Sequence, residues 1–146
     1  MTDNIGSVDE ILEFAIAREV EANQLYLFLA VHLTNPEMQR VCEDFAKEEM
    51  EHKAKLELEL IKIGKVVTGF NVSNYVMEAG DPMEMSYEDL LVFAIKKEDK
   101  AINLYSDLAK TVNDEESRKV LLSLAQEESK HKQRFEVEYN KVLKED

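Results

Sequence analysis

Apolar residues recur every three or four positions in four stretches of this chain, the spacing of a helix with one buried face. The first stripe reads Leu12, Ala15, Ile16, Glu19, Ala22, Asn23, Tyr26, Leu29 and Ala30. The third repeats it as Leu91, Ala94, Ile95, Glu98, Ala101, Ile102, Tyr105, Leu108 and Ala109. The second offers Val41, Phe45, Glu49, His52, Leu56 and Leu60, and the fourth Leu121, Leu124, Glu128, His131 and Phe135. Each stripe is interrupted at mid-length by a glutamate.

Punctuation along the chain sets the boundaries. Helix one is expected over about 8–32, with Ser7 and Glu10 as a capping box. Helix two is expected from Pro36, capped by Asn35, and to end before Gly64. Helix three is expected after Ser86, with Ser86 and Asp89 as a weaker box. Helix four is expected over about 114–143, capped by Asn113 or Asp114. Short loops make helices one and two, and three and four, antiparallel neighbours. Residues 64–86 are too long for a hairpin turn and read as a crossover, pinned by Phe70, Val72, Tyr75 and Val76. The alternation around Phe70–Val76 suits a strand, but a lone strand has no partner, so an extended segment with a helical turn is preferred.

The stripes are copies. Laid over each other without a gap, residues 11–59 match residues 90–138 at 19 positions. The pairs include Phe14/Phe93, Glu19/Glu98, Tyr26/Tyr105, Glu49/Glu128 and His52/His131, each 79 residues apart. Duplication of a helical hairpin explains this, and predicts an approximate two-fold axis within the chain. The expected fold is all-α: a single-domain four-helix bundle, over residues 1–146, of two repeated hairpins and a long crossover.

Composition narrows the chemistry. With 45% hydrophobic residues and only 4 Gly and 2 Pro, the chain has a core and little turn material. A net charge of -13 argues against nucleic acid as a partner and against an anionic membrane. No apolar run approaches a membrane span of roughly 18 residues, and the first residues lack the basic stretch of a signal peptide. A cytoplasmic location is expected. A single cysteine, Cys42, cannot build a disulfide within the chain, a four-thiolate zinc site or an iron–sulfur cluster.

Four glutamates on apolar faces would take up protons or find cations, because a buried unpaired carboxylate is costly. Spacing of three residues puts Glu49 beside His52 and Glu128 beside His131 on one helix face. Each pair can share an ion. Glu19 and Glu98 then serve as terminal ligands, and Glu49 and Glu128 as bridges. Two divalent ions balance four carboxylates. The mixed carboxylate–imidazole set suits iron or manganese, with zinc as a substitute. Tyr26 and Tyr105, two turns beyond Glu19 and Glu98, are expected to hydrogen-bond a carboxylate and orient it, with a redox role as the alternative.

The pattern Glu19…Tyr26…Glu49-x-x-His52, then Glu98…Tyr105…Glu128-x-x-His131, resembles the ferritin-like di-iron superfamily, in its rubrerythrin-like branch. The resemblance spans nearly the whole chain. It implies a carboxylate-bridged di-iron centre that reacts with hydrogen peroxide or dioxygen, with Glu49 and Glu128 bridging and catalytic. Two departures stand out. The four-cysteine rubredoxin-like iron site is missing, so an external electron donor, such as a rubredoxin-like protein, is expected. The additional glutamate that rubrerythrins carry one turn after the third-helix ligand is replaced by Ala101, which makes the site more symmetric.

The leading expectation is therefore a di-iron peroxidase or oxidase. The alternatives are a ferroxidase that handles iron, a metal-stabilised interaction protein without catalysis, and an oxygenase. Haem is not expected, and Met50 is assigned to packing. Glu48 and Glu127 are assigned to solvent, His32 to a structural or exposed role, and Cys42 to the core. Leu25, Leu27, Phe28 and Val31 leave helix one apolar on several sides, which favours a homodimer.

Overall fold

A computed structural model of the chain describes residues 5–62, 66–71, 84–112 and 114–145, with side chains over 12–59, 84–112 and 114–144. In order the elements are β1 (Ile5–Ser7), α1 (Val8–His32), α2 (Pro36–Lys62), β2 (Val66–Asn71), α3 (Tyr87–Thr111) and α4 (Glu115–Glu145). They fall into two compact units, Met1–Val72 and Ser73–Asp146. The first is the α1–α2 hairpin with a two-stranded ribbon; the second is the α3–α4 hairpin.

The helices begin where side chains can accept their first N–H groups. Asn35 Oδ1 accepts from the backbone of Glu37 at 2.9 Å and of Met38 at 3.3 Å, with Pro36 opening α2. Ser86 is extended and its Oγ accepts from the Asp89 N–H at 3.1 Å. Asp114 Oδ2 accepts from the Ser117 N–H at 3.1 Å, which settles the choice left open at the start of α4. Asn113 and the side chains of Ser7, Glu10 and Leu60 lie outside the described residues.

Matched positions also close the two hairpin loops. Gln39 Nε2 donates back to the Leu33 carbonyl. Its repeat partner Arg118 donates from Nε to Ala109 O at 3.2 Å and from Nη2 to Val112 O at 2.9 Å. Carbonyls at or just past the end of one helix are thereby satisfied by the first turn of the next. Between α1 and α2, Asn23 Nδ2 donates to Ala46 O at 2.8 Å.

The apolar stripe of each hairpin is largely buried. Leu12, Leu29 and Leu56 are fully enclosed in the first, and Leu91, Leu108, Leu121 and Phe135 in the second. Burying one such side chain stabilises the fold by roughly 1.5–3 kcal/mol. Ile16, Asn23 and Ala30, at the edge of the first stripe, are only partly covered.

The ribbon corrects one expectation. The segment at Val66–Asn71 is a strand, and it has a partner: β1 pairs with it antiparallel, Ile5 opposite Asn71 and Ser7 opposite Val66, with a register shift between. Residues 72–83, with the remainder of the expected crossover segment, lie outside the described residues. No helix among the described residues is long and apolar enough to cross a membrane.

Candidate metal centre

Each hairpin carries a buried triad of two carboxylates and an imidazole. In the first unit Glu19 comes from α1 and Glu49 and His52 from α2, and all three are inaccessible to solvent. Ala15 and Ala22 stand one turn to either side of Glu19 on the same face, both fully buried. These small side chains leave the carboxylate room inside. In the second unit Glu98 comes from α3 and Glu128 and His131 from α4, again buried, with Ala94 and Ala101 flanking Glu98.

The geometry within each triad suits a cation. Glu19, Glu49 and His52 each present a ligand atom within 4.8 Å of the others, and so do Glu98, Glu128 and His131. His52 Nδ1 lies 3.4 Å from Glu19 Oε2 and 3.6 Å from Glu49 Oε1. His131 Nδ1 lies closer, 3.0 Å from Glu98 Oε2 and 3.3 Å from Glu128 Oε1. In both units the imidazole nitrogen faces the two carboxylates, as it must if all three are to share one ion. Two oxygen donors and one nitrogen, without sulfur, form a set that a divalent first-row metal accepts. The protein thus has two candidate metal-binding clusters, one in each unit.

The first triad contains a residue that the stripe argument missed. Arg18 is buried, 5% exposed, and its guanidinium nitrogen Nη1 lies 2.6 Å from Glu19 Oε1 and 3.7 Å from Glu49 Oε2. Burial alone pushes the Glu19 carboxyl up. Arg18, with help from His52 and Glu49, more than reverses this and brings it down to about 2. Glu19 is therefore ionised at neutral pH even without a metal. The repeat places Lys97 opposite Arg18; its ammonium sits 5.7 Å from the centre of the Phe93 ring and is only partly covered.

Two further buried carboxylates escaped the sequence reading. Glu59 is 3% exposed and Glu138 is 6% exposed, and they occupy matching positions of the repeat, seven residues after His52 and His131. Tyr87 donates its hydroxyl to Glu138 Oε2 at 2.9 Å. The signal was present: this was the last matched pair of the repeat, and a step of seven returns to the same helix face.

The other singled-out residues fall as follows. Tyr26 and Tyr105 are both fully buried, and Tyr26 packs edge-on against Phe45 at 6.1 Å. Cys42 is buried. Met50 is exposed, as are Leu27 and Val31, whereas Leu25 is buried. Glu48 and Glu127 are half-buried rather than fully solvated. His32 is exposed and stacks on Phe28 at 4.1 Å.

Comparison with known proteins agrees with this geometry. The family model described as Rubrerythrin matches residues 10–82 and 89–146. No curated protein matches the chain. A hypothetical protein from Pyrococcus furiosus, Pfu-1136390-001, is similar in structure with a TM-score of 0.78 and 26% identity, over 94% of this chain and 91% of that one. A Thermotoga maritima protein, provisionally described as a ferritin-like diiron-carboxylate protein, gives a TM-score of 0.81 at 20% identity, over 97% of this chain and 99% of that one. The fold class is that of an all-α four-helix bundle made from the two hairpins.

Proposed function

This chain belongs to the rubrerythrin family, and from that premise we propose that it is a di-iron oxidoreductase reducing hydrogen peroxide or dioxygen. The observation that carries the reading is the pair of buried Glu/Glu/His triads, each able to offer three ligand atoms to one ion. The proposed ligands are Glu19, Glu49 and His52 for one iron, and Glu98, Glu128 and His131 for the other. Glu49 and Glu128 would each supply a carboxylate shared out as the iron pair requires. Manganese and zinc suit the same donors and are the expected substitutes.

When bound, an iron pair supplies two electrons to the oxygen–oxygen bond of peroxide, which with two protons yields two waters. The chain's own residues prepare for this. The four carboxylates would offset the charge of a divalent pair, leaving over only the charge of the buried Arg18 beside Glu19. The alanines beside Glu19 and Glu98 leave space near the ligands that a longer side chain would fill. Tyr26 and Tyr105, both buried, would orient carboxylates through their hydroxyls. Electrons come from outside the bundle, from a donor such as a rubredoxin-like protein.

Anaerobic titration with ferrous iron, followed by separate additions of peroxide and oxygen, tests the proposal. Saturation at two ions per chain, then fast growth of ferric absorbance with peroxide that a reductant reverses, is the expected result. Failure to bind two ions would remove the di-iron reading. Two-ion binding followed by continuous release of ferric product would mark a ferroxidase instead.

A further inference from the structure

We propose that Arg18 is an internal counter-ion that holds the Glu19 triad ready when no metal is present and opposes metal binding there. The inference rests on the metal-ligand reading of the triad. Arginine keeps its charge at any accessible pH. Here it is enclosed, with Nη1 at 2.6 Å from Glu19 Oε1 and 3.7 Å from Glu49 Oε2. With both carboxylates ionised to take a metal, the first triad carries two negative charges, and Arg18 offsets one of them.

Geometry sharpens the point. The guanidinium occupies Oε1 of Glu19, while Oε2 is the oxygen that faces His52 Nδ1 at 3.4 Å. Glu19 is thereby divided: one oxygen for the arginine, one for the metal. A metal arriving at this triad meets a carboxylate whose charge is already shared and a fixed positive charge a few ångströms away. At an effective dielectric near 20, a charge at such a distance changes cation affinity by about tenfold or more. In the second unit the matched residue is Lys97, whose charge is partly open to solvent and so more strongly screened than that of an enclosed arginine. The Glu98 triad is the one that fills first.

The proposal predicts opposite effects from one substitution, which a merely structural arginine would not produce. Arg18→Gln should lower the stability of the metal-free protein, because Glu19 and Glu49 lose their counter-ion. The same change should tighten the weaker of two cobalt(II) sites by about tenfold or more. Arg18→Lys keeps a charge but loses the fork, and should shift both quantities less. The experiment is a cobalt(II) titration of the full chain with a competing chelator, read by visible absorbance, beside urea unfolding of the metal-free protein. Two unequal sites that become nearly equal in Arg18→Gln would support the proposal. Two sites in both proteins with no tightening, or with weaker binding in Arg18→Gln, would overturn it and leave the metal reading intact. If Arg18→Gln fails to fold, Arg18→Lys decides in the same way. If the unaltered chain binds no cobalt(II), both readings fall together.

Discussion

The two hairpins carry the same three candidate metal ligands at the same spacings, yet their surroundings differ. In the first, His52 stands 3.4 Å from Glu19 and the carboxylate is gripped by a buried arginine. In the second, His131 stands 3.0 Å from Glu98, and the matched cation, Lys97, sits at a Phe93 ring. A duplicated sequence therefore gave one ligand set twice but not one electrostatic environment twice. On the proposed reading, the candidate ligands set what can be bound, and the neighbour one residue before the first of them sets how strongly.

The most forceful way to break the comparison is to remove one imidazole at a time. A bound ion at a thousandfold excess over its Kd stabilises a protein by about 4 kcal/mol, or roughly 10 °C in Tm for a chain of this size. His52→Ala and His131→Ala should each lower metal stoichiometry from two to one and forfeit about that much of the metal-dependent rise. Thermal melts with and without metal check it. If either change abolishes both ions, the triads are not separable sites.

Core truncation asks whether the hairpins are equal as scaffolds. Leu29 and Leu108 are matched and fully enclosed. Leu29→Ala and Leu108→Ala should each cost about 2–5 kcal/mol, measured by urea unfolding. Similar values would confine the difference between the halves to the sites. The smallest effect is at the caps. Asn35→Ala and Asp114→Ala, again a matched pair, should each cost about 1 kcal/mol. Asp114 adds a charge at the positive end of a helix, so its loss should exceed that of Asn35 by a few tenths of a kcal/mol and shrink in high salt.

Much of this was legible in the sequence because its signals are local or repeated. Helix ends announce themselves through Asn35-Pro36, Ser86 and Asp114, whose side chains act within one turn. The candidate ligands are legible because Glu19, Glu49 and His52 recur at an identical offset, which chance in an acidic chain does not readily produce. Arg18 was not legible. It lies about 100° around the helix from Glu19, where a charged residue reads as solvated, and only the fold shows it enclosed. Glu59 and Glu138 were hard to read for a like reason: a glutamate towards a helix end usually meets water, and only the fold shows both buried. The β1–β2 pairing failed for a different reason: a strand's partner is a long-range fact, and Ile5–Ser7 is too short to advertise itself.

That ribbon has a consequence for how the chain opens. It joins the segment entering α1 to the segment leaving α2, so the free end of the first hairpin is laced by backbone hydrogen bonds. At the corresponding end of the second hairpin, Tyr87 at the start of α3 reaches Glu138 on α4 through a side-chain hydrogen bond. Lacing the ends of a long loop is entropically demanding once, during folding, and afterwards resists fraying. The amides of the first turn of α1 should accordingly exchange with solvent more slowly than those of α3, although both helices begin at an equivalent place in a duplicated sequence.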